Sequence, residues 1–118
     1  MDMNKITEIA KRESNINPFL WRMLDLIRDS NLDKFVLQSA GFIGSDDNRA
    51  ELEDFVRQLR EAEITEFILT DNSSGLMRTL AAFDEVGLKI VKPCKVAWVT
   101  HWHVFVEEQG LIISVQEE

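Results

Sequence analysis

The sequence holds one cysteine, two prolines, five glycines, no tyrosine and only 13 basic residues against 21 acidic ones. Each shortage excludes something. The lone thiol, Cys94, cannot form an internal disulfide, and an oxidising compartment would leave it unpaired, so the expected setting is a reducing cytoplasm. Few glycines and prolines with 45% apolar residues argue against disorder and for one globular domain over 1–118. A formal charge of −8 opposes unaided binding to phosphate backbones or anionic lipid, which predicts no direct nucleic-acid partner and no membrane partner. No apolar run approaches the roughly 20 residues that cross a bilayer. The opening Met1-Asp2-Met3-Asn4-Lys5-Ile6-Thr7-Glu8 alternates polar and apolar residues, unlike a signal peptide. A chain of 118 residues buries about two-thirds of its unfolded surface, enough for a core without a disulfide, metal or cofactor.

What is present reads as helices first and strands later. Ile6, Ile9 and Ala10 space a short peripheral helix over 3–13. Asn17-Pro18 starts a second over 18–29, because Asn accepts from first-turn amides and Pro at the first helical position gives up an N–H that had no partner. Phe19, Leu20, Trp21, Met23, Leu24, Leu26 and Ile27 cover more than one of its faces, which implies burial on two sides or an apolar strip for another chain. Residues 32–40 fit helical spacing at 32, 35 and 36, or a strand at 35–39, and the helix is favoured. After a loop at 41–47, Asn48 and Glu51 have the spacing of a capping box for a helix over 48–62, with Leu52, Phe55, Val56 and Leu59 as its buried stripe.

A strand over 64–70 follows, rich in β-branched and aromatic types, then turn residues 71–75 and a helix over 73–86 that ends at Gly87. A second strand covers 88–92 and stops at Pro93. A third covers 95–106, with Val96, Trp98, Thr100, Trp102, Val104 and Val106 toward the core. Glu108-Gln109-Gly110 turns it into a fourth over 111–116. The expected fold is α+β: N-terminal helices packed on a small mixed β-sheet with a C-terminal antiparallel hairpin. The expected core is Leu24, Ile27, Leu52, Phe55, Val56, Leu59, Phe67, Leu69, Leu80, Phe83, Ile90, Val96, Trp98, Val104, Ile113 and Val115.

Four features carry candidate chemistry. Ser73, Ser74 and Gly75 lie between a strand and a helix, where free amides can receive an anion. The segment lacks the lysine and spacing of a phosphate loop, Asp71 would repel an anion, and a solvated turn with a Ser cap explains the same residues. His101 and His103, two apart on a strand, could share a metal with help from Cys94, but two imidazoles are no site and no metal is expected. No nucleophile, base and oxyanion hole can be assembled, so no catalytic residue is assigned and the chain reads as more binder than enzyme. The helix at 73–86 with Gly87-Leu88 has a superficial likeness to the last helix of a helix-turn-helix regulator, without a basic recognition helix.

The fourth feature is charge layout. Residues 44–72 carry nine acidic and three basic side chains, residues 96–118 four acidic and none basic, and residues 78–95 four basic and two acidic. Solubility explains such acidity by itself. Concentrated on one helix flank, however, Asp46, Asp47, Glu51 and Asp54 suit the steering of a basic protein. The leading expectation is therefore a small acidic cytoplasmic protein that inhibits or regulates a basic protein partner, of the nuclease-inhibitor or immunity-protein type. The alternatives are a small-molecule or anion-binding domain, or an enzyme, using the turn at 70–75, and a helix-turn-helix-like regulator.

Overall fold

Asn17 sets where the first described helix begins. Its Oδ1 accepts from the Phe19 N–H at 2.9 Å, its carbonyl accepts from the Trp21 N–H at 2.9 Å, and Pro18 occupies the first helical position. The structure, a computed structural model, describes residues 17–30, 34–38, 49–70, 76–100 and 102–116. Within them run α1 (Pro18–Ser30), β1 (Val36–Leu37), α2 (Arg49–Glu61), β2 (Glu66–Leu69), α3 (Leu76–Glu85), β3 (Leu88–Val99) and β4 (Phe105–Val115). The expected helix at 3–13 and loop at 41–47 lie outside the described residues.

The strands form one mixed sheet in the order β1-β2-β4-β3. β1 is parallel to β2, and β4 runs antiparallel to both β2 and β3. The fold is α+β, with helices ahead of a sheet that ends in an antiparallel hairpin. One face of the sheet packs on α2, α3 and the first turns of α1. There Phe19, Phe55, Phe67 and Phe83, one from each of α1, α2, β2 and α3, meet edge to face at centroid distances of 5.6, 5.6 and 5.9 Å. The other face presents Val36, Ile68, Val96 and Trp98, with Leu26 and Ile27 from the far end of α1 packed against them. This explains why α1 is apolar over more than one face: it serves both sides of the sheet. Trp21 alone among its large apolar residues is strongly exposed, and the Arg28 guanidinium lies 5.5 Å from its ring centre.

Four expectations need correction. Within the segment 32–40, where a helix is favoured, Val36–Leu37 form strand β1 instead. Phe35 and Leu37 carbonyls accept from the Ile68 and Thr70 N–H groups at 2.9 and 3.1 Å, and this long-range pairing overrides local spacing. Pro93 does not end a strand; β3 runs through it, because β3 is an outer strand where a missing N–H is tolerated.

The hairpin turn falls at 100–104 rather than 108–110. The Thr100 N–H donates to the Val104 carbonyl and the His103 N–H to the Thr100 carbonyl, each at 2.9 Å, with His103 at φ 62°. That is a three-residue loop whose last residue is left-handed. Thr100 Oγ1 also accepts from the N–H groups of Trp102 and Val104, at 3.3 and 3.2 Å. Finally, Ile90 and Val104 are not core. They are 52% and 55% exposed, Ile90 on the outer strand beside an irregularity in the pairing and Val104 past the end of β3. Ile27 and Leu80 are half-buried, and the other expected core residues are buried.

Gly110, read from sequence as a turn residue, stands in the middle of β4 opposite Cys94. A methyl group there would lie 2.7 Å from Ile68 Cγ2 and 3.2 Å from the Leu69 carbonyl oxygen. Close approach of β2, not a turn, requires glycine. Gly110→Ala should therefore lower stability by about 1–3 kcal/mol in chemical denaturation, although alanine is no worse a strand former. An unchanged midpoint would mean that β2 and β4 are not this close.

Candidate functional site

Three places on the described surface gather polar or exposed apolar groups. The first is a cleft of about 470 Å³ between α2 and the end of α3. Its charges answer one another. Arg49 pairs with Glu53 at 3.1 Å and Glu85 at 2.6 Å, Arg57 pairs with Glu61 at 3.0 Å and with Asp54, and Arg60 Nε donates to the Gln116 carbonyl at 2.9 Å. Exposed pairs of this kind contribute less than about 1 kcal/mol each. They tie α2 to α3 and to the chain end rather than holding out free charge.

The acidic residues on the α2 flank differ in their surroundings. Asp46 and Asp47 lie outside the described residues. Glu51 is exposed and its carboxylate has no partner among them. Asp54 is half-buried: Oδ2 accepts from Asn17 Nδ2 and Gln58 Nε2, each at 3.4 Å, and Oδ1 from Arg57. Asn17 also donates to the Glu51 carbonyl at 2.7 Å and to Gln58 Oε1 at 3.0 Å, so Asp54 belongs to the junction between α1 and α2.

Of the proposed anion turn, Ser73, Ser74 and Gly75 lie outside the described residues. Thr70, directly before it, is buried, and its Oγ1 has no hydrogen-bond partner among the described residues. The helix α3, likened to the last helix of a helix-turn-helix unit, has strand β2 and not a helix as the described element before it, and is followed through Gly87, at φ 90°, by β3. His103 stands in the hairpin loop rather than on a strand, and His101 lies outside the described residues, so the shared-face argument for a metal pair fails. No group of three His, Cys, Asp or Glu side chains placed to hold a metal occurs among the described residues.

The second place is the end of the hairpin, where Val99, Trp102, Val104 and Phe105 are 49–76% exposed. The third is a groove of about 430 Å³ along the β1 edge of the sheet. Because β1 has only two residues, Glu66 and Phe67 of β2 have no strand partner on that side among the described residues. Phe35, Ile64, Phe67, Ile68 and Ile112 make the apolar lining, and Lys34, Glu63 and Glu66 stand exposed around it.

The position of Glu63 follows from how α2 ends. The Ile64 N–H donates to the Leu59 carbonyl at 2.9 Å and the Glu63 N–H to the Arg60 carbonyl at 3.1 Å, a double closure that needs a left-handed residue between them. Glu63 supplies it at φ 58°, where glycine is the usual choice. Ile64 then drops beside Leu59 into the core, and the Glu63 side chain is left at the rim of the groove. Sequence reasoning missed this site, since β1 was read as helix and nothing local marks Glu63 as left-handed.

Comparison with known proteins adds one relation. A model for a domain of unknown function (DUF7698) matches residues 45–110, more than half of the chain. The chain belongs to the DUF7698 family. No curated protein and no solved structure matches it. The segment shared with DUF7698 runs through α2, β2, α3 and β3 into the middle of β4, and so includes Glu63, Glu66 and the hairpin end, while Lys34, Phe35 and Ile112 lie beyond it.

The left-handed Glu63 yields a stability test. Glu63→Gly should raise stability by up to about 1 kcal/mol, because release from a strained conformation outweighs the extra chain entropy of glycine. Thermal unfolding measures it, and a destabilised variant would show that the carboxylate has a structural role larger than the strain.

Proposed function

We propose that this DUF7698 protein is a small acidic binding protein that inhibits or regulates a basic protein partner in the cytoplasm, in the manner of a nuclease inhibitor or an immunity protein. The observation that carries this reading is the groove at the β1 edge: an apolar floor of Phe35, Ile64, Phe67 and Ile68 beneath the exposed carboxylates of Glu63 and Glu66. Such a site fits a lysine or arginine, whose stem is apolar and whose head is charged. Among the described residues that line the groove, Lys34 is the single cation, set against two carboxylates. Glu51, with no ion pair among the described residues, and Asp46 and Asp47 add negative charge for steering. Asp54 contributes less, since Arg57 shares its carboxylate.

Replacing both rim carboxylates, as Glu63→Gln with Glu66→Gln, keeps side-chain size and removes the charge. Captured against lysate of the native cell, the wild-type chain should retain a basic protein. Surface plasmon resonance on that protein should show the double variant associating at least tenfold more slowly at low salt, with the gap narrowing as salt rises. An association rate indifferent to both changes would refute the groove as the docking site.

One observation favours the alternative, an anion or small-molecule site using the turn at 70–75: the buried Thr70 Oγ1, which has no partner among the described residues. A buried hydroxyl left unpaired costs about 1–3 kcal/mol. If nothing binds there, Thr70→Val should leave the protein as stable or more so. If a small phosphorylated ligand uses that oxygen, calorimetric heat seen with the wild type disappears in the variant.

A further inference from the structure

The two edges of the sheet differ, and the β3 edge supports an inference independent of the groove. In an antiparallel ladder, alternate residues turn both backbone groups toward the neighbouring strand. The Thr100 N–H donates to the Val104 carbonyl, so the even positions back to Lys92 face β4, and Pro93, Lys95, Ala97 and Val99 face outward. Pro93 thus stands where its missing N–H would have projected from the open edge. Together with the irregular pairing between Ile90 and Lys92, it blunts the first half of that edge. The second half has neither device. Lys95, Ala97 and Val99 each present an N–H and a carbonyl with no strand beyond them among the described residues.

We infer that two copies of this chain pair antiparallel through Lys95–Val99, centred on Ala97, to make one continuous eight-stranded sheet. The residues fit this two-fold arrangement. Ala97, exposed and small, meets itself. Lys95 of one copy meets Val99 of the other, so no like charges face each other. Six backbone hydrogen bonds form, two at each of three facing pairs.

Beyond Val99, the loop with Trp102 reaches the level of Val91 and Lys92 of the second copy. It carries a side chain that is 76% exposed toward Ile90 and Val91, which are 52% and 54% exposed. These exposed apolar groups lie at matching distances on either side of Ala97. Ile90, Val91, Val99 and Trp102 together offer on the order of 400 Å² of apolar surface per copy, about half of the area that a standard stable interface buries on each side. The strand between Leu88 and Val99 contains three lysines and no carboxylate, so the charge of −8 that each copy carries is not concentrated at the contact.

Sedimentation equilibrium over low to high micromolar concentration, at physiological salt, should show the full-length wild type passing from one chain to two. Ala97→Pro removes only an outward N–H, as Pro93 already does, and Val99→Lys sets a lysine against Lys95. Each should weaken self-association at least tenfold while leaving far-ultraviolet circular dichroism unchanged. In a Cys94→Ser background, Ala97→Cys should form a disulfide between copies on mild oxidation, whereas Glu107→Cys, one strand further in, should not. A wild type that stays monomeric throughout overturns the pairing. So does a dimer that survives Val99→Lys, because another surface would then hold it.

Discussion

The arrangement of this chain depends on the contact of Phe67 with its two aromatic neighbours. Phe67 lies on β2, and its ring meets Phe55 of α2 on one side and Phe83 of α3 on the other, with Phe19 of α1 completing the row beyond Phe55. Edge-to-face pairs add about 0.5–1.5 kcal/mol each beyond the area they bury. Their larger consequence is geometric. The row fixes three helices on one face of the sheet at one separation, leaving α1 free to continue past the sheet and bring Leu26 and Ile27 to the other face. The end of α2 is placed by the same contact, and with it the left-handed Glu63 and the rim of the groove.

Local patterns were enough to read the parts that local patterns control. Asn17-Pro18 marked the start of α1, the spacing of Leu52, Phe55, Val56 and Leu59 gave the buried stripe of α2, and Gly87 marked the close of α3. Each of these rests on neighbours within a turn or two of the chain. What escaped was set by partners far away in sequence. β1 is a strand because Phe35 and Leu37 bond to β2 about thirty residues later, and two residues of strand leave almost no periodicity to detect. The groove was illegible for the same reason, since it lies beside β1 and needs a non-glycine residue in the left-handed region.

The misplaced turn shows how one residue type can serve two purposes. Glycine at 110 and proline at 93 both read as breaks in extended structure, yet each sits inside a strand. Glycine is there because β2 crowds β4 at that level, with Ile68 and Leu69 against the place of a side chain. Proline is there because an outer strand has an N–H to spare. The real turn lacks both residues. It is built by Thr100, whose hydroxyl and backbone together hold four hydrogen bonds of the loop, and by a histidine in the left-handed region.

These placements give the two edges of the sheet different characters. At β1 the neighbouring strand stops after two residues, and the exposed flank of β2 is lined by apolar side chains under carboxylates, a surface suited to side chains of a basic protein. At β3 the backbone itself is the available surface, and its useful length is limited by Pro93 and the irregular register before it. A basic partner of the kind proposed would be chosen at the first edge by charge and shape, and a second copy at the other edge by backbone hydrogen bonding and register. The central position of β4, paired on both sides, keeps the two edges apart, so each can be occupied without displacing the other.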